Sequence, residues 1–176
     1  MDTSSLPAPT EPLPGLTLRP LAPADRPWLR EWMRSRWGSE WMAVRGELYR
    51  MDELPGMAAE MGGEVVGLAT YRIDGAECEL MSLDSLRERR GIGSALVEAV
   101  TGLARAAGCA RLTLVTTNDN LNALRFYQKR GFRLRALRPG AVDAARRELK
   151  PEIPLLGEHG IPIRDEIELE MEIQAR

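Results

Sequence analysis

The sequence predicts a mixed α/β domain, and three observations carry that prediction. First, "GMAAEMGGEVVGLATYRIDGAECELMSLD" reads as a meander of three strands, with the hairpin dipeptides Gly62-Gly63 and Asp74-Gly75 at its turns. Second, the last of these strands runs into a glycine-rich turn, "RERRGIGSALV" (Arg87 to Val97), and the chain then becomes helical. Third, strand-like and helix-like periods alternate from there to the C-terminus. The resulting order is β-α(α)-β-β-β-α-β-α-β-β. No internal repeat and no linker after residue 15 interrupts it, so residues 15–176 form one domain behind a Pro-rich tail, 1–14.

Each element has its own local warrant. "LTLRPL" (Leu16 to Leu21) alternates like a strand and stops at Pro20. "PADRPWLREWMRSRW" has helix-start chemistry, with Asp25 as N-cap and Pro27 in the first turn. Trp28, Leu29, Trp32, Met33 and Trp37 recur near helical spacing and are expected in the core. After the glycine-rich turn, the helix from Ser94 to Ala107 carries an apolar stripe of Leu96, Val97, Val100, Leu103, Ala104 and Ala107, and Gly108 ends it. "ARLTLVTT" is a strand, "NLNALRFYQKR" an amphipathic helix stopped by Gly131, and "FRLRAL" a strand. Residues 138–163 are irregular, with a short helix in "AVDAARREL", and "IPIRDEIELEMEI" closes the sheet.

Composition excludes several function classes. At 176 residues and 44% hydrophobic content the chain can bury a core, and no apolar run approaches the length of a membrane span. The start, "MDTSSLPAPTEPLPG", lacks the basic and apolar segments of a secretory signal. A formal net charge of -2 argues against a general nucleic-acid binder. Two cysteines, Cys78 and Cys109, and one histidine, His159, support no metal site. Buried free thiols and a cytoplasmic location are the expectation.

The glycine-rich turn is the first candidate site. Glycine admits positive φ and close approach of another group. The turn opens a helix, whose first N–H groups have no internal acceptor and whose dipole favours an anion. Arg87, Arg89 and Arg90 add permanently charged, forked donors. A phosphate or pyrophosphate site follows, although G-x-G before a helix is often only a tight turn. There is no G-x-x-x-x-G-K-[ST] P-loop, and "GIGSAL" lacks the third glycine of a dinucleotide fold.

The second motif is "NDNLNALRFYQKRGF", Asn118 to Phe132. Together the two segments resemble the GNAT superfamily of acyl-CoA-dependent N-acyltransferases. "RRGIGSALV" after a strand is similar to the family's [QR]-x-x-G-x-[GA] coenzyme A loop. Asn120-x-x-Ala123-x-x-Phe126-Tyr127-x-x-x-Gly131-Phe132 is similar to its asparagine-to-Gly-Phe signature. The resemblance implies a single GNAT-like domain: a central, mixed but mostly antiparallel twisted sheet of about seven strands, flanked by about four helices, with the fourth and fifth strands splayed. It implies acetyl-CoA as co-substrate and no metal. The pyrophosphate would rest on backbone N–H groups of Arg89, Arg90, Gly91, Ile92, Gly93 and Ser94. The pantetheine arm would pair with the fourth strand at Met81, Ser82 and Leu83, with Asn120 and Tyr127 on the other side. Arg87, Arg125 and Lys129 are within the family's reach of the adenosine phosphates. One departure stands at Glu88, where the family has Gln or Arg.

Acyl transfer from a thioester to an amine requires a base for the ammonium, a donor for the oxyanion and an acid for the leaving thiolate. The resemblance assigns the acid to Tyr127 and the oxyanion donor to a backbone N–H of Ser82 or Leu83. For the base, "AECEL" puts Glu77 and Glu79 on one strand face, shared with Met81 and Leu83. Glu77, fourteen residues before Gly91, matches the position of a base in several relatives, and Glu79 is the runner-up. Bulk water is the alternative acceptor.

The expected function is transfer of an acetyl group to a primary amine, a small or amino-acid-like acceptor being favoured. A protein N-terminus or lysine is the rival within the same chemistry, and a non-catalytic acyl-CoA sensor the rival outside it. The acceptor side falls on "SRWGSEWMAVRGELYRMDELPG", with Trp37, Trp41, Met42, Arg45 and Tyr49, and on the long connection before the last strand. That connection mixes Arg146, Arg147 and Lys150 with Glu148, Glu152 and Glu158, so its charge names no acceptor. His159, Asp165 and Glu166 are further candidates there. Pairing through edge strands leaves a homodimer open; no nucleic-acid or membrane partner is expected.

Overall fold

The computed structural model describes residues 13–87 and 90–173. The expected calls on the tail 1–12, on Glu88 and on Arg89 lie outside the described residues. Among the described residues nine strands and four α-helices follow one another as β1 (Leu16–Pro20), α1 (Arg26–Trp37), β2 (Trp41–Val44), β3 (Glu47–Arg50), β4 (Gly56–Met61), β5 (Glu64–Asp74), β6 (Glu77–Ser85), α2 (Ile92–Ala106), β7 (Arg111–Thr117), α3 (Leu121–Gln128), β8 (Arg133–Arg138), α4 (Ala141–Glu148) and β9 (Glu166–Glu172). Seven strands form one sheet in the order β1-β4-β5-β6-β7-β9-β8. Its pairings are antiparallel except β6 with β7. Among the described residues no helix is long and apolar enough to cross a membrane.

Two apolar clusters sandwich the sheet. On one face α2 buries the stripe Ile92, Leu96, Val97, Val100 and Ala104 against Val66, Leu80, Leu112 and Leu169. Gly67 makes this approach possible: a Cβ there would stand 2.7 Å from Ile92 Cγ2. On the other face Leu29 and Met33 of α1 pack with Val44, Met51, Leu68 and Met81. The three tryptophans of α1 are half-buried around these two residues rather than fully enclosed. Cys78 and Cys109 are both free and buried, and burial pushes the Cys78 thiol up to about 12, which leaves it unreactive.

Three local expectations are corrected. A second helix after α1 does not form: β2 and β3 make a hairpin instead, with Trp41↔Arg50 through Val44↔Glu47 in register. Its turn is Arg45–Gly46, both at positive φ (51° and 77°), the conformation a tight two-residue hairpin demands. The second turn of the meander is Gly75–Ala76 rather than Asp74-Gly75, because Asp74 still pairs with Glu77. Asp25 precedes α1 but its carboxylate does not cap it. It turns back to accept from Ala22 N (2.7 Å), Trp28 Nε1 (2.7 Å) and the two Nη atoms of Arg19 (2.7 and 3.0 Å).

Asp25 therefore joins β1 to α1 through one buried carboxylate. The Arg19 guanidinium holds it far below the usual aspartate range, with burial opposing and the Ala22 N–H and Trp28 indole assisting. A depressed folded value means that the stabilisation is present above the unfolded value of about 4 and is lost as pH falls through the folded one. Asp25→Ala should cost about 2 kcal/mol at neutral pH, by loss of charged hydrogen bonds. Urea midpoints of the two proteins should converge as pH is lowered below about 4; a gap that does not change with pH contradicts the assignment.

Candidate active site

The site is built around the place where the sheet opens. β6 and β7 pair only from Glu77↔Arg111 to Leu80↔Leu114. Beyond that point β6 continues to Ser85 and β7 to Thr117, with no ladder between them. A bulge lies at the same position: Thr70 pairs with Ser82 and Tyr71 with Leu80, leaving Met81 extra on β6. The bulge breaks the alternation that would put Met81 and Leu83 on one face. Met81 packs with the α1 cluster and Leu83 against the α2 cluster. The Ser82 hydroxyl is committed to Thr70 Oγ1 at 2.6 Å, so only the backbone of Met81 to Leu83 faces the opening with unused donors and acceptors.

A cleft of about 780 Å³ runs from this opening along the start of α2 to α3. Leu83, the Gly91–Ser94 turn, Phe126 and Tyr127 form its walls. Gly91 is the N-cap of α2 at φ 78°, and the following N–H groups of Ile92, Gly93 and Ser94 have no acceptor one turn back within the helix. They and the helix dipole give the cleft a positive end. Four cations, Arg87, Arg125, Lys129 and Arg130, line it as well. Gly93 lets the helix start lie close to the Phe126 ring, since a Cβ there would stand 3.3 Å from it and the ring would have to give by a few tenths of an ångström.

Arg130 was not singled out from the sequence, yet it ties the two motifs together. Its guanidinium stacks on Phe126 (3.5 Å to the centroid), and its Nη1 donates to Phe126 O at 2.8 Å. Its Nε (3.1 Å) and Nη2 both donate to Ser94 Oγ. The readable signal was the spacing of four residues between Phe126 at the end of α3 and Arg130 in the turn that follows it. Arg90 is exposed and outside the cleft lining.

Tyr127 is buried at the inner end of the cleft, edge-on to Phe126 (5.0 Å) and Phe132 (5.3 Å). Burial raises its phenol well above the ordinary tyrosine value, so it is a neutral hydrogen-bond donor at any working pH. Asn120 is the N-cap of α3, with Oδ1 accepting from Ala123 N at 2.9 Å, and it stands outside the cleft lining.

On the α1 face of the paired half of β6 lies a second, charged pocket of about 390 Å³. Glu79 is buried between Arg45 Nη2 (2.5 Å) and Arg72 Nε (3.0 Å). Glu77 is more open and more loosely held, by Arg135 (3.3 Å) and Arg111 (3.5 Å). Glu168 accepts from Arg138 Nη2 at 2.6 Å. The hairpin turn closes the pocket, with Arg45 N–H donating to Glu166 at 3.0 Å. Glu166 is thereby occupied, and Asp165 is likewise engaged by Gly140 N (2.7 Å). His159 is exposed in a one-turn 3₁₀ segment and lines neither cavity. Arg72 and Arg138 were not foreseen; their signal was alternation placing them on the same sheet face as Glu79 and Glu168.

Comparison with known proteins agrees with this geometry. The sequence pattern described as "Acetyltransferase (GNAT) family" matches residues 24–132, more than half of the chain. The Bacillus subtilis (strain 168) protein YdhI is 51% identical over 140 residues, covering 79% of this chain and 87% of the relative. YxbD of the same organism is 41% identical over 160 residues, covering 90% and 100%. A GNAT family acetyltransferase from Elizabethkingia anophelis, solved with acetyl-CoA bound, superposes with a TM-score of 0.65 at 22% identity, covering 90% of this chain and 99% of that one. The chain belongs to the GNAT acetyltransferase family.

Glu79 tests how much of the charged pocket is structural. Removing its carboxylate leaves Arg45 and Arg72 without their shared partner. Glu79→Ala should lower stability by about 3 kcal/mol, read from urea unfolding. Glu77→Ala, at a half-exposed pair, should cost about 1 kcal/mol or less. Equal losses in the two variants contradict this division.

Proposed function

We propose that the protein is an N-acetyltransferase that moves an acetyl group from acetyl-CoA to a primary amine, a small or amino-acid-like acceptor. The observation that carries this reading is the meeting of an unpaired strand edge, Met81 to Leu83, with a helix N-terminus lined by four cations. An acyl-CoA needs that combination: backbone to pair with an amide-bearing arm, and donors for a pyrophosphate. The related fold solved with acetyl-CoA bound supports the same choice.

In this reading the N–H groups of Ile92, Gly93 and Ser94 hold the pyrophosphate, with Arg125, Lys129 and Arg130 neutralising the remaining phosphate charge. The backbone of Met81 to Leu83 orients the thioester. The amine, once deprotonated, attacks the thioester carbonyl; the N–C bond forms, the C–S bond breaks, and the nitrogen gives up its second proton to the departing thiolate. A backbone N–H of Ser82 or Leu83 stabilises the oxyanion, and the bulge turns that edge toward the opening. Glu77, the less tightly held carboxylate, takes the ammonium proton through water. Tyr127 donates to the leaving sulfur. Full proton transfer from so weak an acid is uphill, so its hydrogen bond to the developing thiolate carries most of the effect.

The test is acetyl-CoA-dependent thiol release across a panel of amines, amino acids and peptides. Tyr127→Phe should lower kcat by about 10²-fold on the best acceptor. Its coenzyme A affinity should stay within about threefold, since the ring stays in place between Phe126 and Phe132. Tight acetyl-CoA binding with no turnover on any amine contradicts the enzyme reading and favours a sensor.

A further inference from the structure

The charged pocket has a chemical asymmetry that its acids and bases do not satisfy among themselves. Among the described residues, Arg45 Nη1 and Arg138 Nη1 are buried with no hydrogen-bond partner. Arg45 Nη1 stands 3.8 Å from Glu168, beyond hydrogen-bond reach. Each guanidinium is pinned by its other arm, Arg45 through Nη2 on Glu79 and Arg138 through Nη2 on Glu168. One comes from the β2–β3 turn and the other from β8, and both residues line the same cavity beside Glu168. A buried donor without an acceptor costs free energy that an incoming acceptor recovers.

The acids of the pocket are placed the other way. Glu79 and Glu168 are buried and already held by two arginines each. The open carboxylates, Glu77 and Asp74, are 39% and 82% exposed at the side chain and lie toward the rim. The two spare Nη1 atoms are themselves buried, although their side chains are 26% and 35% exposed; the one buried acceptor without a partner among the described residues, Glu170 Oε2, lies outside the pocket lining. A purely cationic ligand would leave the buried donors unpaired; a carboxylate, with two oxygens able to accept from two guanidiniums, would use them.

We propose that this pocket is the carboxylate subsite of the acceptor, so that the preferred acceptors are amines that also bear a carboxylate, such as free amino acids. Arg45 and Arg138 grip the carboxylate. This rests on the acetyltransferase reading given above and names its substrate class.

The test is calorimetric titration of the full chain, saturated with coenzyme A, using the common amino acids and the matching amino acid amides and decarboxylated amines. At least one amino acid should bind about tenfold or more tighter than its own amide. Arg138→Met should cut that ratio to about threefold or less while leaving coenzyme A affinity unchanged. Arg45→Lys, which keeps a cation beside Glu79 but removes the spare N–H, should do the same and covers the case in which Arg138→Met fails to fold. Amides or decarboxylated amines binding as well as the amino acids would overturn the proposal. So would binding of no carboxylated amine, or discrimination that survives both variants. Thiol release with non-carboxylated amines alone would reject the subsite and leave the acetyltransferase standing. Failure to bind coenzyme A would reject both.

Discussion

The parallel ladder between β6 and β7 stops at Leu80 and Leu114, and the rest of the site depends on that stop. A closed sheet would present no unused backbone in its middle. Here the bulge at Met81 and the diverging ends of the two strands leave a stretch of β6 with ladder partners on one side only. The two hydrophobic clusters keep the gap from collapsing. α2 pins β5 and β6 through the close contact at Gly67, and α1 with the β2–β3 hairpin braces the opposite face. The cost of an open sheet edge is met by apolar packing elsewhere.

One strand carries both halves of the site. The basic cleft begins at Leu83 and the charged pocket ends at Glu79. Three strand residues lie between them, about 13 Å along β6. The two cavities differ in kind. The cleft gathers cations around a helix N-terminus and suits a polyanion held from outside. The pocket is lined by three guanidiniums and four carboxylates, with two buried donors left over, which suits a small ligand with specific geometry. On the proposed reading, electrostatics separates a site for one substrate's phosphates from a site for the other's functional groups.

Much of the fold was legible because its signals are local. The meander, the apolar stripe of α2 and the glycine stops at Gly108 and Gly131 are each set by a few neighbouring residues. The β2–β3 hairpin was missed because its turn dipeptide, Arg45–Gly46, puts a bulky residue at positive φ where Asn or Asp is usual. Its contacts to Glu79 and Glu166 lie far along the chain. The bulge at Met81 was also invisible, because it is a property of two strands in register and of no residue in either. For the same reason the face shared by Glu77 and Glu79 was read correctly and its extension to Leu83 was not. The glycine turn and the aromatic end of α3 were readable as a pair, whereas Arg130 mattered only once folding brought Ser94 beside it.

The central claim is that the first N–H groups of α2 and the unpaired edge of β6 receive acetyl-CoA. Backbone amide NMR spectra titrated with coenzyme A test it most directly, because they report on those N–H groups without mutation. The account predicts that the largest and saturable shifts fall on Ile92, Gly93 and Ser94, and on Ser82 and Leu83. Binding that leaves both sets unmoved while shifting amides elsewhere would contradict it.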